Sequence, residues 1–439
     1  AYSRLKLPVD RSRPKATFAK LLRRRVHTMV CDEAHLLRNP QTDQSRAVHQ
    51  VSPKVRYALS GTPIANYPRD VLPLIQWVGG DGTAHQPFGL HHPHLDSANV
   101  RDMNNAIRGV DVFREMFVTL EWVTNEFAED LRSGAKREVP KIKDVAGFRA
   151  VMAPVLKRRV MEEPDVAAHV RIPRPIRREV PIEWDRRHLA YYVQTARRFV
   201  DWFKNLGAYE RKSVGLIAIL AKMQAVYTAA NFPQAGTADL GPFRGMTSKQ
   251  RYAVDRLKQL TADGHKTIFL AHSPDVIEFM SREMTAAGIP AVEFHGGMTV
   301  AQRVKALDER FRFGDAPVLL ATKGVLQTGY NLHQANRVLF YDRSWTPKVE
   351  QQAAARALRP QQTRRVEIEF LHLAGSIDEY QSQMVEFKAD SMKAGLDFGD
   401  DDPEREFVHI ETILGRFVED FEGRFGTKVD DLIREVERD

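Results

Sequence analysis

Two acids and two arginines are the residues of this 439-residue chain whose types and spacing best suit chemistry. Asp32-Glu33-Ala34-His35 ends a short β-prone run, Val26–Cys31. Adjacent carboxylates at a strand end suit nucleotide hydrolysis, because one can hold a Mg²⁺ while its neighbour polarises the attacking water. A second run, Arg56–Ser60, ends at Gly61-Thr62-Pro63, and open α/β sheets place ligands at the carboxyl ends of strands. Arg356 and Arg359 lie three apart in a helical pattern, with Gln352 one turn earlier, which predicts that all three share one face. Taken singly, an acidic turn and a solvated basic helix would account for both features.

Hydrophobic period outlines the elements that must carry these residues. After a turn-rich segment at 79–99, residues 102–232 space their apolar side chains three and four apart and predict helices. In that segment His85, His91, His92 and His94 lack cysteines or carboxylates at ligand spacing, so they read as a loop rather than a zinc site. From 248 a second alternation begins. Strands are predicted at Thr267–Ala271, Ala291–Phe294, Val318–Ala321, Val338–Tyr341 and Val366–Leu373, with helices at 275–287, 299–312 and 346–358. This predicts a parallel sheet wound on both faces. A helix over 376–394 leads into a tail whose Phe407, Ile410, Leu414, Phe417 and Phe421 again recur helically.

Charge is unevenly distributed. The chain carries +8 overall, but residues 397–439 hold 15 acids and 6 bases, leaving +17 on the rest. Residues 1–30 hold nine bases and one acid. A basic body with an acidic tail points to a polyanion partner, most simply nucleic acid, and equally suits a basic enzyme with a solvated terminal helix. The single cysteine, Cys31, excludes a disulfide scaffold and a cysteine-based zinc finger and suggests a reducing compartment. The longest apolar run, Val214–Ala221, is too short to cross a bilayer. Ala1-Tyr2-Ser3-Arg4 has neither a signal core nor an initiating Met. The expectation is an intracellular, cytoplasmic or DNA-associated protein with no membrane partner, read here from its middle.

With these motifs in order, the sequence resembles the Swi/Snf-type DNA translocases of helicase superfamily 2. The resemblance spans about residues 26–390. It rests on Asp32–Pro40, Ala58–Asn66, Leu156-Lys157-Arg158-Arg159, Ile268–Leu270, His295-Gly296-Gly297 with Arg303, Thr322-Lys323 with Thr328–Leu332, Asp342–Pro347 and Gln352–Gln362. It implies an α/β fold of two RecA-like, doubly wound parallel-sheet lobes, the first incomplete, with helical insertions and a C-terminal helical tail. Residues 1–100 would belong to the first lobe, 101–245 to protrusions and linker, 246–395 to the second lobe and 396–439 to the tail. It further implies ATP and Mg²⁺ as cofactors, double-stranded DNA as partner, and hydrolysis in an inter-lobe cleft driving translocation or remodelling.

Residue roles follow from the same resemblance. Asp32 would hold Mg²⁺ and Glu33 would be the general base. His35, Ser60, Thr62 and Gln352 would couple the phosphate state to lobe movement. Arg356 and Arg359 would stabilise charge developing on the γ-phosphate. Gly296, Gly297, Arg303, Thr322, Lys323, Gly329 and Asn331 match positions that track the DNA backbone, a sequence-independent and salt-sensitive contact. Trp345 is expected in the core.

Three departures qualify the match. No Gly-x-x-x-x-Gly-Lys-Ser/Thr occurs, so the loop that cradles the β- and γ-phosphates is missing. The chain is then a fragment, or a partner chain supplies the loop, or the protein is a hydrolysis-dead DNA-binding scaffold. Leu326-Gln327 stands where the family often has two glycines. The tail has no counterpart and reads as a competitor for the basic cleft, a solvated surface or a docking helix. The rival motor is a DEAH-box RNA helicase, whose Gln-Arg-x-Gly-Arg-x-Gly-Arg differs from Arg356-Ala-Leu-Arg359-Pro-Gln-Gln.

Overall fold

The computed structural model describes residues 2–79, 109–123, 135–159, 163–205, 216–382, 410–425 and 429, apart from gaps at 11, 13–14, 62, 65–67, 171, 238–239, 328 and 345–346. The chain divides into two compact units, one built on Ala1–Arg159 and the other on Val160–Phe387 with Val408–Asp439.

The first unit contains α1 (Tyr2–Leu5), α2 (Phe18–Leu22), α3 (Asp43–Val51), α4 (Leu72–Gly79), α5 (Gly109–Phe117) and α6 (Val145–Met152). β1 (Thr28–Cys31) and β2 (Val55–Ala58) pair in parallel, with Cys31 opposite Ala58. β3 (Val118–Val123) and β4 (Ala135–Ile142) pair antiparallel. Threonines start two of the helices: Thr17 and Thr42 accept the N–H of Lys20 and Ser45. Cys31, Leu37, Val48, Leu74 and Trp77 form one core. Phe113, Phe117 and Phe148 meet edge-to-face in another. Among the described residues the opposite face of β1–β2 is exposed: Val30 lies across from Tyr57, and both, with Leu59, are more than half exposed.

The second unit contains α7 (Pro164–His169), β5 (Ile176–Ile182), α8 (Arg186–Asn205), α9 (Leu216–Asn231), α10 (Ser248–Ala262), β6 (Thr267–Ala271), α11 (Pro274–Ala286), β7 (Ala291–Phe294), α12 (Val300–Ala306), β8 (Val318–Thr322), β9 (Arg337–Phe340), α13 (Pro347–Ala354), β10 (Glu367–Leu373) and α14 (Ile410–Phe425). Its six strands are all parallel, in the order β5-β10-β9-β6-β8-β7. Alternation along β6 separates two cores. Phe269 and Ala271 join Tyr192, Phe199, Val226, Leu257 and Met280, whereas Ile268 and Leu270 join Leu307, Phe311 and Ala353. The expected double winding is therefore present here, since parallel strands this apolar need cover on both faces.

Two expectations change. The stretch 102–232 is not purely helical, because β3, β4 and β5 lie within it, β5 as the sheet edge beside β10. Pairing to residues 367–373 places β5, and no local period announces such a partner. The tail, too, is more than a solvated surface. Phe417, Val418 and Phe421 of α14 enter the core with Phe199 and Tyr380, Lys204 pairs with Glu422, and the Tyr380 hydroxyl donates to Asp420. Phe417→Ala should cost about 3–5 kcal/mol in denaturant unfolding; an unchanged midpoint would make α14 peripheral. The histidines of 79–99, Thr62, Thr328 and Trp345 lie outside the described residues, and the helix expected over 376–394 is described only at 377–382. No described helix is long and apolar enough to cross a membrane.

Candidate functional site

β1 and β2 bring Asp32-Glu33-Ala34-His35 beside Ser60. Leu59 N–H donates to the Cys31 carbonyl and Ala34 N–H to the Leu59 carbonyl, both at 2.8 Å. After Cys31 the backbone turns sharply. Asp32 Oδ1 accepts the Glu33 N–H at 2.9 Å, and Glu33 adopts a left-handed φ of 50°, uncommon for a residue with a side chain. His35, only 4% exposed, sets Nδ1 3.1 Å from Ser60 Oγ and 3.2 Å from Glu33 Oε2. Asp32, Glu33, His35 and Ser60 are thus brought together. The Tyr2 hydroxyl donates to the Asp32 carbonyl, a contact that no sequence signal links across thirty residues. Asp32 is exposed and Glu33 partly so at the strand end. Hard carboxylate oxygens there fit Mg²⁺, which takes one or two carboxylates together with phosphate oxygens and waters. No group of three metal-ligating side chains occurs among the described residues.

In the second unit, His272, His295, Lys323 and Tyr341-Asp342 follow the carboxyl ends of β6, β7, β8 and β9, which share one edge of the sheet. Lys323 corrects an expectation. It is 2% exposed, and its ammonium donates to the carbonyls of Asp342 (3.0 Å) and Arg343 (2.8 Å) while pairing with the Asp342 carboxylate. It is a buried strut, not a surface donor for DNA, and Thr322 is buried with it. Burial pushes the Asp342 carboxyl up, but the Lys323 charge and hydrogen bond, with the His272 N–H at 3.1 Å, bring it below the usual range.

Asp342→Asn should therefore cost about 3–5 kcal/mol at neutral pH, because Lys323 loses its counter-ion. A depressed carboxyl stabilises above its unfolded value of about 3.9, and that contribution is lost as pH falls through the folded value. The wild-type advantage in melting temperature should accordingly shrink below about pH 4. A constant difference across that range would reject the pair as its source.

The other candidates of this edge differ in setting. Gly296, Gly297 and Gly329 are exposed, Gly329 at φ 33°. Asn331 Nδ2 lies 3.4 Å from Gln361 Oε1. Arg303 is half-buried, its Nε without a hydrogen-bond partner among the described residues.

The arginines do not share a helix face with Gln352. α13 ends at Ala354 and tightens into turns, with Arg356 N–H on Ala353 O and Ala357 N–H on Ala354 O. Pro360 keeps the helix from resuming beyond these turns, since it disfavours helical geometry at Arg359 and offers no N–H; that signal was present in the sequence. Arg356, 6% exposed, donates Nε to the Leu326 carbonyl at 2.9 Å, and its own carbonyl accepts Leu332 N–H. Arg359 is half-buried, and its Nε has no hydrogen-bond partner among the described residues. A pair the sequence reading missed anchors α13: Glu350 accepts Arg343 Nε at 3.1 Å and Ser344 N–H at 2.6 Å, while Arg343 also reaches Glu179 at 2.8 Å.

Comparison with known proteins agrees with this layout of motifs. The SNF2-related domain matches residues 2–227 and the helicase conserved C-terminal domain residues 250–361. A putative ATP-dependent helicase/translocase, YwqA of Bacillus subtilis (strain 168), is 23% identical over 364 residues, which cover 82% of this chain and 35% of that protein. Protein CHROMATIN REMODELING 24 of Arabidopsis thaliana is 21% identical over 388 residues, 80% and 32% of the two chains. The Sulfolobus solfataricus SWI2/SNF2 ATPase core in complex with dsDNA is 20% identical, covering 89% of this chain and 78% of that one with a TM-score of 0.40. The chain spans about a third of the length of these two curated relatives. With more than half of its residues matched, Asp32–Pro40 and Ala58–Asn66 among them, the chain belongs to the SNF2-related family.

Proposed function

We propose that the chain forms part of an ATP-dependent motor that moves along or remodels double-stranded DNA. Its two units then each hold a RecA-like lobe, with the protrusions and linker of 101–245 divided between the units and β5 reassigned to the second lobe. Asp32 holds Mg²⁺, Glu33 takes the proton of the attacking water, and His35 with Ser60 registers the state of the phosphate. Arg359 supplies the transition-state cation, and Arg356 supports its turn. Bound ATP and Mg²⁺ supply the reacting phosphoryl group and its charge neutralisation. Gly296, Gly297, Gly329, Asn331 and Arg303 remain candidates for backbone contact with DNA, whereas Lys323 holds Asp342 and Arg343 from within and Thr322 is buried beside it.

The observation that carries this reading is the His35–Ser60 hydrogen bond beside Asp32 and Glu33. It links the end of the hydrolytic strand to the next strand, so a change at the phosphate has a route into the fold. A strand-and-helix layer bearing the phosphate loop would also cover the exposed Val30, Tyr57 and Leu59 face, since parallel pairs are ordinarily buried on both sides. That layer comes from the natural protein's own chain or from a partner. The decisive measurement is phosphate release by the complete natural protein with duplex DNA, with RNA and with neither. Stimulation by duplex supports the motor, preferential stimulation by RNA supports the rival helicase, and no turnover with all partners present supports the scaffold.

A further inference from the structure

The hydrolytic reading leaves one strongly charged surface unused. α2 and the turn that follows it border an open groove lined by Lys15, Lys20, Arg23, Arg24 and Arg25, with Asp10 as the one carboxylate among its lining residues. Asp10 is already engaged, accepting the Ser12 N–H at 3.0 Å and the Ser12 hydroxyl at 2.7 Å. None of the five cations pairs with a carboxylate among the described residues. Lys20 Nζ donates to the Lys15 carbonyl at 2.9 Å, which fixes its ammonium against the preceding turn. All three arginines are exposed, and Arg24 is held at φ 57° by its N–H on the Val51 carbonyl.

A cation or two after a helix is explained by the carbonyls at the helix end. Five cations around one engaged acid exceed that need, and a polyanion seated among them would neutralise the excess charge. Three of them are guanidiniums, whose fork matches two phosphate oxygens. The groove is also distinct from the nucleotide site. β1 separates them, running from Thr28 after the arginine turn to Cys31 before the acids, a span of roughly 13 Å at about 3.3 Å per residue.

We infer that this groove seats the phosphodiester backbone of duplex DNA, a sequence-independent contact on the first unit additional to the loops of the second. The inference rests on the duplex-DNA reading above. Its test titrates labelled duplex DNA into the full chain and into an Arg23→Gln, Arg24→Gln, Arg25→Gln variant, over a series of salt concentrations. The variant should bind about tenfold or more weakly at low salt, and the slope of log K against log salt should flatten by about 0.9 for each arginine seated on a phosphate, up to roughly 3. Lys15→Gln with Lys20→Gln should act in the same direction, guarding against a local effect at Arg24, and melting curves should match for all forms. Equal affinity and slope would overturn the groove and leave the motor reading standing. Failure of the unaltered chain to bind duplex would overturn the groove, and failure of the complete natural protein to bind as well would overturn the motor reading. Loss of polyglutamate binding with duplex binding intact would overturn the proposal in favour of an acidic protein partner.

Discussion

Glu33→Gln is expected to lower ATP turnover by the complete natural protein about 10²–10⁴-fold while leaving nucleotide affinity near normal. Glutamine preserves the shape of the side chain and can still face His35 Nδ1, 3.2 Å from Oε2. It cannot take a proton from water. The backbone is the second reason to expect a specific effect. Glu33 holds a left-handed φ of 50°, a conformation that costs about 1–3 kcal/mol and persists only where neighbours enforce it. The neighbours are identifiable: Asp32 Oδ1 on the Glu33 N–H and the Leu59 carbonyl on Ala34 N–H. The strained turn sets the carboxylate beside His35 Nδ1, and glutamine should retain that backbone. Single-turnover phosphate release separates chemistry from binding, and undiminished turnover would remove Glu33 from its role.

Arg359→Ala should slow hydrolysis by about 10³–10⁵-fold with duplex affinity retained, because a transition-state cation acts only as charge develops. Arg356→Ala should behave differently. Arg356 is buried and spends its Nε on the Leu326 carbonyl, so its loss leaves a buried acceptor unpaired, a cost of about 1–3 kcal/mol. Its variant should melt earlier as well as turn over slowly, whereas the Arg359 variant should melt as the unaltered protein does. Comparing kcat with melting temperature for the two separates the roles. An Arg359 variant with normal kcat would refute the assignment.

Much of this molecule was determined by the order of its residues alone. Thr267–Ala271 and Ala291–Phe294 were legible as strands to the residue. Asp32-Glu33 at one strand end and Ser60 just past another were legible as neighbours in an α/β sheet. Apolar period, turn residues and caps act over a few positions, so the chain states them locally. Pro360 belonged to that legible class, and the bar it sets against helical geometry at Arg359 was there to be read. Other features depended on residues far apart in the chain. Lys323 looked like a surface cation until Asp342 and Arg343, nineteen and twenty residues on, enclosed its ammonium. β5 became a sheet edge only by pairing with β10, and the acidic tail turned structural because Phe417 and Phe421 found Phe199 and Tyr380. Burial and ion pairing are properties of the surroundings rather than of the residue, and tertiary structure alone decides which surroundings a side chain meets.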